Sequence, residues 1–253
     1  MSVGGILGLF GRSRSEGTKQ FAVLLDPDTE HSTEFLRSCH DVNVDYFFVG
    51  GSLLVSSKPD ALIKRLKAEG DIPIVIFPGS VAQIHPEADA FLLLSLISGR
   101  NAELLIGKHV EAAPMLKGSG LEIIPTGYIL IDGGKPTTAS YISNTTPIPA
   151  DKPEIAACTA LAGEMLGLKI IFLDAGSGAT QPVSPEMVMA VRHEVDLPVI
   201  VGGGIDTPEK AFEAASSGAD IVVVGNAFEH DPALLPEMVA ATRAASVHTK
   251  VKN

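Results

Sequence analysis

Residues 199–211 read VIVGGGIDTPEKA: a β-branched apolar run, three consecutive glycines, then a helix-start signal. Two segments of the same form lie on either side, 170-IIFLDAGSGAT-180 and 221-IVVVGNAFEHD-231. Glycine admits positive φ and lets the backbone come close to a ligand. A strand that ends in glycine and feeds a helix leaves unpaired N–H groups facing whatever sits above the sheet. Three such turns in βα rhythm predict a polar cup of backbone donors, suited to a phosphate. Tight connections alone would also use glycine, but they do not need Gly202, Gly203 and Gly204 in a row. After the middle turn, Thr207 is placed as N-cap, Pro208 in the first helical turn and Glu209 at the positive end of the helix. Ser184-Pro185-Glu186 repeats that signal after the first turn.

Working outward, short apolar runs recur at Phe21–Leu25, Tyr46–Val49, Ile72–Phe77, Ala90–Leu94, Leu121–Leu130 (interrupted by Pro125), Lys169–Leu173, Pro198–Val201 and Ile221–Val224. Between most of them lie helical patterns, at Thr33–Arg37, Asp60–Lys67, Pro153–Leu166, Pro185–Val195 and Pro208–Ser217. Near-continuous apolar strands alternating with helices mean a parallel sheet covered by helices. Eight such units in 253 residues match a closed (β/α)8 TIM barrel. An open doubly wound sheet is the alternative. The barrel is favoured because the glycine turns cluster on the last units, where barrel phosphate sites form.

An internal echo supports the count. Asp45, Asp89 and Asp220 each precede a buried strand and follow a small or apolar residue. The first two are 44 positions apart, two βα units, whereas Asp89 and Asp220 are 131 apart. The surplus is assigned to an irregular or remodelled unit around residues 100–150. The chain is read as one barrel domain over 1–253, with 1–20 an extension packed on it: a helix over 1–10, then a polar connection over 11–20.

Composition excludes several functions. With 19 Lys and Arg against 30 Asp and Glu, the formal charge is −11, unsuited to nucleic acid or an anionic membrane surface. Phosphates bound by such a chain must be neutralised by backbone dipoles, a few chosen cations or a metal ion. The two cysteines are far apart and lack zinc-site spacing, which fits a reduced, cytoplasmic setting. No apolar stretch is long enough to span a bilayer, and no convincing signal peptide is present.

Candidate chemistry sits at strand ends. In 24-LLDPDTE-30 Asp26 and Asp28 end the first strand, and in 49-VGGSLL-54 Ser52 is level with them. A carboxylate and a hydroxyl there suit Mg²⁺, a hard cation that keeps waters and substrate phosphates; a turn with a helix start is the plainer alternative. Asp174 ends a buried strand just before a phosphate turn, placed to accept a proton from a ligand hydroxyl or to cap the turn. Lys135, after Gly133-Gly134, is placed to reach an anion, and Tyr128 presents its hydroxyl at the barrel mouth or packs. Lys108, His109 and Glu111 are candidates in the same irregular segment, a solvated surface position being the plainer reading for a lone Lys or His; His31, His40, His85, His193, His230 and His248 are read as surface or turn residues.

With these residues in view, the chain resembles the geranylgeranylglyceryl phosphate synthase family, which includes bacterial heptaprenylglyceryl phosphate synthases. The likeness runs from about Phe21 to about Pro232. Its elements, in order, are Leu25-Asp26-Pro27-Asp28, Val49-Gly50-Gly51-Ser52, Ile106-Gly107-Lys108-His109, Pro125-Thr126-Gly127-Tyr128, Phe172–Gly178, Gly202-Gly203-Gly204-Ile205 and Gly225-Asn226. The resemblance implies transfer of a prenyl group, geranylgeranyl in first place, from its diphosphate to the C3 hydroxyl of sn-glycerol 1-phosphate, with Mg²⁺ required. It implies Mg²⁺ binding by Asp26 and Ser52. Glycerol phosphate would be bound by Phe172, Leu173, Asp174, Ala175, Gly176, Ser177, Gly178, Gly203, Gly204, Gly225 and Asn226, with Tyr128 and Lys135 added from the residues themselves. Asp174 and Asp26 are the catalytic candidates. The family often has Tyr at the position of Phe172 and commonly Glu at that of Asp174, which removes one hydroxyl and draws the carboxylate back by a methylene. A homo-oligomer and transient contact with a membrane surface are expected. The competing functions are an isomerase or lyase on another phosphate-binding barrel, and a non-catalytic barrel that binds a phosphorylated metabolite.

Overall fold

A computed structural model describes residues 4–55 and 59–249. Eight parallel strands close into a barrel: β1 Gln20–Leu25, β2 Tyr46–Val49, β3 Ile74–Ile76, β4 Ala90–Leu96, β5 Glu122–Leu130, β6 Ile170–Asp174, β7 Val199–Gly202 and β8 Ile221–Val224. β8 returns to pair with β1, so no edge is left open. The barrel expected from the strand–helix rhythm is present. Side chains alternate between two cores. In β6, Ile170 and Phe172 point inward with Phe48, Leu92, Ile200 and Val223, whereas Ile171 and Leu173 point outward beneath the helices. Each fully buried side chain of this size contributes about 1.5–3 kcal/mol, so both layers favour the same strand register.

The helices are α1 Ile6–Glu16, α2 Thr33–Asp41, α3 Pro59–Glu69, α4 Lys108–Ser119, α5 Thr138–Ser143, α6 Pro153–Met165, α7 Pro185–Glu194, α8 Pro208–Ser216, α9 Asn226–His230 and α10 Leu235–Thr249. The start signals work as read: Ser184 accepts from Met187 N–H and Thr207 from Lys210 N–H. Pro125 does not interrupt β5. The Pro125 carbonyl accepts from Lys169 N–H, so the missing Pro N–H faces the side where β6 has not yet begun, and no ladder bond is lost.

The recurring aspartates have one mechanical role. Asp45 accepts from Phe21 N–H, Asp89 from Ile74 N–H and Asp220 from Val199 N–H, each at the start of the preceding strand. Each is also paired with a base: Asp45 with Arg243, Asp89 with Lys67 and Asp220 with Arg192. Before β6 the equivalent residue is Lys169, which explains why the echo skips that strand.

Two departures from a regular barrel shape its upper face. The expected irregularity over 100–150 is a π-helical turn at Glu103–Gly107 and a long β5–α6 connection carrying α5. A second was not foreseen: between β3 and β4 there is no α-helix, only a 3₁₀ turn at Val81–Gln83.

The N-terminal segment also differs from expectation. Its helix runs through the stretch read as a polar connection, because Ile6, Phe10 and Arg14 recur at i, i+4 and i+8 on one face. Phe10 is fully buried, edge-on to Tyr46 inside the barrel, and Arg14 donates to the Leu197 carbonyl and Asp196. Glu122 at the start of β5 caps the helix by accepting the Ile6 and Leu7 N–H groups. Helix α1 therefore floors the barrel at the N-terminal ends of the strands. Phe10→Ala should cost about 3 kcal/mol of unfolding free energy in urea titrations. A loss below about 1 kcal/mol would mean that the floor is not part of the core.

Candidate functional site

Over the C-terminal ends of the strands lies a cavity of ≈ 410 Å³. Asp26, Ser52, Lys135, Phe172, Asp174, Ser177, Gly178, Gly203, Gly204, Gly225 and Asn226 all line it. Its floor is backbone. Gly176, Gly178, Gly203 and Gly204 all have positive φ, and a Cβ on Gly203 would lie 2.6 Å from Gly176 N and 2.7 Å from Asp174 Oδ1. Only glycine lets the β6 and β7 turns come this close. Ser177 Oγ donates to Asn226 Oδ1 at 2.7 Å, tying the β6 turn to α9 above β8. The β5–α6 connection folds over the same turn: Gly133 O accepts from Thr180 and Gln181 N–H, which brings Lys135 beside Gly178. Among the described residues no carboxylate is paired with Lys135, whose exposed ammonium is available to an anion in the cup.

Asp174 sits at the deep end. Tyr128 donates its hydroxyl to Asp174 Oδ2 at 2.6 Å, and Gly176 N–H donates to Oδ1 at 2.7 Å. Burial holds the Asp174 carboxyl above its ordinary range, with both hydrogen bonds pulling the other way. The Tyr128 phenol is likewise pushed up, by burial first and by the Asp174 charge second. A carboxylate in this condition is a stronger proton acceptor than a solvated one.

Across the cavity, Asp26 Oδ1 accepts Asp28 N–H at 2.9 Å, while Oδ2 faces Gly51, whose Cβ, were one present, would lie 2.9 Å away. Burial raises the Asp26 carboxyl, and no Lys or Arg is paired with it among the described residues. Asp28 does not share the cavity: it accepts Val55 N–H and ties the two loops together. No cluster of three or more His, Cys, Asp or Glu exists among the described residues. The donor set is therefore one half-buried carboxylate and the Ser52 hydroxyl, all oxygen. That fits a hard cation taking most of its ligands from water and substrate, and does not fit a tightly caged metal.

A second, largely apolar groove of ≈ 150 Å³ leads sideways from the cavity, through the gap left by the missing β3–β4 helix. Phe91, Leu93, Leu94, Leu96, Leu104, Ala112 and Ile142 line it, and Gly51, Ser52 and Phe77 border both spaces. At their junction Phe77 stacks on Phe172, with ring centroids 4.9 Å apart, and meets Tyr128 edge-on at 5.8 Å. The sequence held one sign of this groove, the lack of any helical pattern over 78–89.

Not every residue of Phe172–Gly178 faces the cavity. Leu173 and Ala175 point outward into the helix layer, because strand side chains alternate, and Gly176 gives its N–H to Asp174. Tyr128 lines the groove and touches the cavity through Asp174. Lys108, paired with Glu111, and His109, its ordinary pKa lowered by burial and its ring 3.0 Å from Ser95 Oγ, both line the groove. His31, read as a surface or turn residue, lies in the β1–α2 connection but is buried there: its Nε2 lies 3.0 Å from the Asp26 carbonyl, holding the loop that carries that carboxylate. The His248 side chain lies outside the described residues.

Residues 14–245 match the PcrB family. A geranylgeranylglyceryl phosphate synthase of Chitinophaga pinensis is 54% identical over 236 residues, covering 92% of this chain and 94% of that protein. One of Spirosoma linguale is 56% identical over 230 residues, covering 90% and 92%. The crystal structure of (S)-3-O-geranylgeranylglyceryl phosphate synthase from Thermoplasma acidophilum, in complex with substrate sn-glycerol-1-phosphate, superposes with a TM-score of 0.89 at 32% identity. It covers 95% of this chain and 99% of that one.

The buried Asp174 has a consequence for stability. Its folded-state pKa lies above the unfolded value of about 4, so its contribution is fully present below that value. It is lost as pH rises through the folded pKa. Asp174→Asn still accepts Gly176 N–H and donates to the Tyr128 hydroxyl without a buried charge. In thermal melts the variant should unfold at higher temperature than wild type at pH 7 to 8, with the gap closing as pH falls toward about 4. A gap independent of pH would show that the buried charge is not the cause.

Proposed function

The chain belongs to the PcrB family, and we propose that it is a prenyltransferase joining a prenyl diphosphate, geranylgeranyl diphosphate in first place, to the C3 hydroxyl of sn-glycerol 1-phosphate. The products are the prenylglyceryl phosphate ether and diphosphate. One observation carries this reading: a polar cup of backbone donors and a largely apolar groove meet at Ser52 and Phe77, beside the buried Asp174 and the half-buried Asp26. A phosphorylated alcohol fits the first space and an isoprenoid tail the second. The names of the curated relatives and the ligand of the Thermoplasma acidophilum structure agree with it.

In this scheme the glycerol phosphate dianion sits over Ser177, Gly178, Gly203, Gly204, Gly225 and Asn226, with Lys135 closing on it. Fixed N–H dipoles suit a dianion in an acidic protein because they bind it without recruiting many side-chain cations. The C3 hydroxyl points toward Asp174. A bond forms between that oxygen and the allylic C1 of the prenyl chain while the C1–diphosphate oxygen bond breaks. The hydroxyl proton passes to Asp174, whose burial favours taking it up. Tyr128 keeps the carboxylate in place through Oδ2. The faces of Phe77 and Phe172 border the point where positive charge develops on the allyl group, which aromatic rings tolerate. Asp26 and Ser52 are the residues that would hold Mg²⁺, which when bound neutralises charge on the departing diphosphate.

Among the described residues no helix is long and apolar enough to cross a membrane. We place the enzyme in the cytoplasm, touching a membrane surface only as it hands over its lipid product. The exposed Tyr141 and Ile142 on α5, the latter lining the groove, supply an apolar lip for that contact. Exposed Ile155 and Met165 on α6, Leu166 just after it and Met189 on the neighbouring α7 favour self-association into a homo-oligomer.

The test is a transfer assay with labelled sn-glycerol 1-phosphate, C15 to C35 prenyl diphosphates, and Mg²⁺ or EDTA. An ether product that requires Mg²⁺ is expected, with Asp26→Ala lowering kcat/KM by about 100-fold or more. No ether with any donor, despite measurable glycerol phosphate binding, would overturn the proposal in favour of a binding barrel or another phosphate chemistry.

A further inference from the structure

The segment that replaces the missing helix after β3 does more than open the groove. Its backbone lies directly on the β2 turn: a Cβ on Gly79 would meet Gly51 O at 2.3 Å and Ser52 O at 2.7 Å. From the 3₁₀ turn that follows, Gln83 reaches back and pairs with both backbone groups of one residue. Its Nε2 donates to Gly51 O at 2.9 Å, and its Oε1 accepts from Gly51 N–H at 3.5 Å. Gln83 is only 5% exposed, so this double contact is made away from water. The side-chain amide thus takes the place of a neighbouring strand just beyond the end of β2, where the ladder has stopped.

We propose that Gln83 is a positioning residue for the reaction: by clamping the Gly51 backbone on both sides of its α-carbon it fixes the Ser52 hydroxyl opposite Asp26, and so the place where a magnesium-bound diphosphate is held. This rests on the reading of Asp26 and Ser52 given above. The physical case is that the ladder stops at Gly50, whose N–H donates to Leu25 O, and leaves Gly51 beyond it. Gly50 has φ +153° and a Cβ there would lie 1.9 Å from Phe77 O, so that position cannot gain a stiffening side chain, and a Cβ on Gly51 would crowd Asp26 Oδ2 at 2.9 Å. Gln83 is the side chain that hydrogen-bonds both backbone groups of Gly51. A glutamine serves here because its amide offers one donor and one acceptor in the spacing of a peptide group. Glutamate of the same size offers acceptors alone and faces Gly51 O without a proton. The glycerol phosphate cup is built from β6, β7 and β8 and does not depend on this clamp.

The experiment is calorimetric binding of inorganic diphosphate with Mg²⁺, and separately of sn-glycerol 1-phosphate, to wild type, Gln83→Glu, Gln83→Met, Ser52→Ala and the Gln83→Met/Ser52→Ala double variant. Both Gln83 variants should weaken magnesium diphosphate by about 10-fold, as loss of a group that orients a metal ligand does. They should leave glycerol phosphate affinity unchanged, which also certifies that the barrel is folded. The double variant should bind no more weakly than Ser52→Ala by more than about 2-fold, since Gln83 acts through Ser52. Wild-type affinity in the Gln83 variants, an equal loss for glycerol phosphate, or full multiplication in the double variant would overturn the role of Gln83. Wild type that fails to bind magnesium diphosphate at all would instead overturn the reading of Asp26 and Ser52, and the clamp with it.

Discussion

Gly203 and Gly176 meet where no side chain fits: with a Cβ on Gly203, the Gly176 nitrogen would be 2.6 Å away and the Asp174 carboxylate 2.7 Å away. The register of the barrel forces this approach, because Asp174 is level with Gly202 on β7 and with Leu130 on β5. The placement of Asp174 and of the β6 and β7 turns follows from it. The β6 turn can hold Asp174 through Gly176 N–H only because the β7 turn yields space. Asp174 in turn has its second oxygen free for Tyr128, two residues before Leu130. A Cβ at Gly203 would part the two turns and expose the carboxylate to water. Burial, which makes Asp174 a better acceptor, would be lost with it.

The parts of this arrangement written locally in the chain were legible in the sequence. Strand and helix limits agree to within a few residues because β-branched runs, Ser-Pro-Glu and Thr-Pro-Glu starts and glycine turns act over a handful of positions. The strand-start aspartates were visible as an echo, although the bond each makes to the preceding strand was not. Contacts across the barrel were hidden. Tyr128 and Asp174 lie 46 positions apart, and nothing near either one specifies the other. The outward direction of Leu173 and Ala175 was legible in principle, since strand alternation settles it once Phe172 faces in. Helix α1 was cut short because its polar face reads as a linker, whereas packing of Phe10 against Tyr46 is a tertiary fact. The absent β3–β4 helix left a sign that was silent, a missing pattern.

Net charge frames the chemistry. A chain of formal charge −11 cannot attract phosphates through its overall field, so attraction must be local. The upper cavity solves this in two different ways on its two sides. Toward β6 to β8 the cavity presents backbone N–H groups and the Lys135 ammonium, which suit an anion without a counter-ion. Toward β1 and β2 it presents the Asp26 carboxylate and the Ser52 hydroxyl, and the carboxylate repels an anion unless a cation lies between. The two sides therefore differ in charge, and the proposed placement of a monophosphate on one and a metal-bound diphosphate on the other rests on that difference.

The barrel is sealed at one end and breached at one side, and the two features depend on each other. Helix α1 plugs the N-terminal floor with Ile6 and Phe10, so the inner core loses no burial there. The lack of a helix between β3 and β4 leaves Leu93 and Leu94 half-buried along a largely apolar groove that opens from the cavity. A regular helix there would have covered the groove and anchored β2 and β3 by packing. In its place the chain lays Gly79 on the Gly51–Ser52 backbone and brings Gln83 into contact with it. The same substitution of a short turn for a helix thus makes room for an apolar chain and supplies the hydrogen bonds that keep the neighbouring turn still.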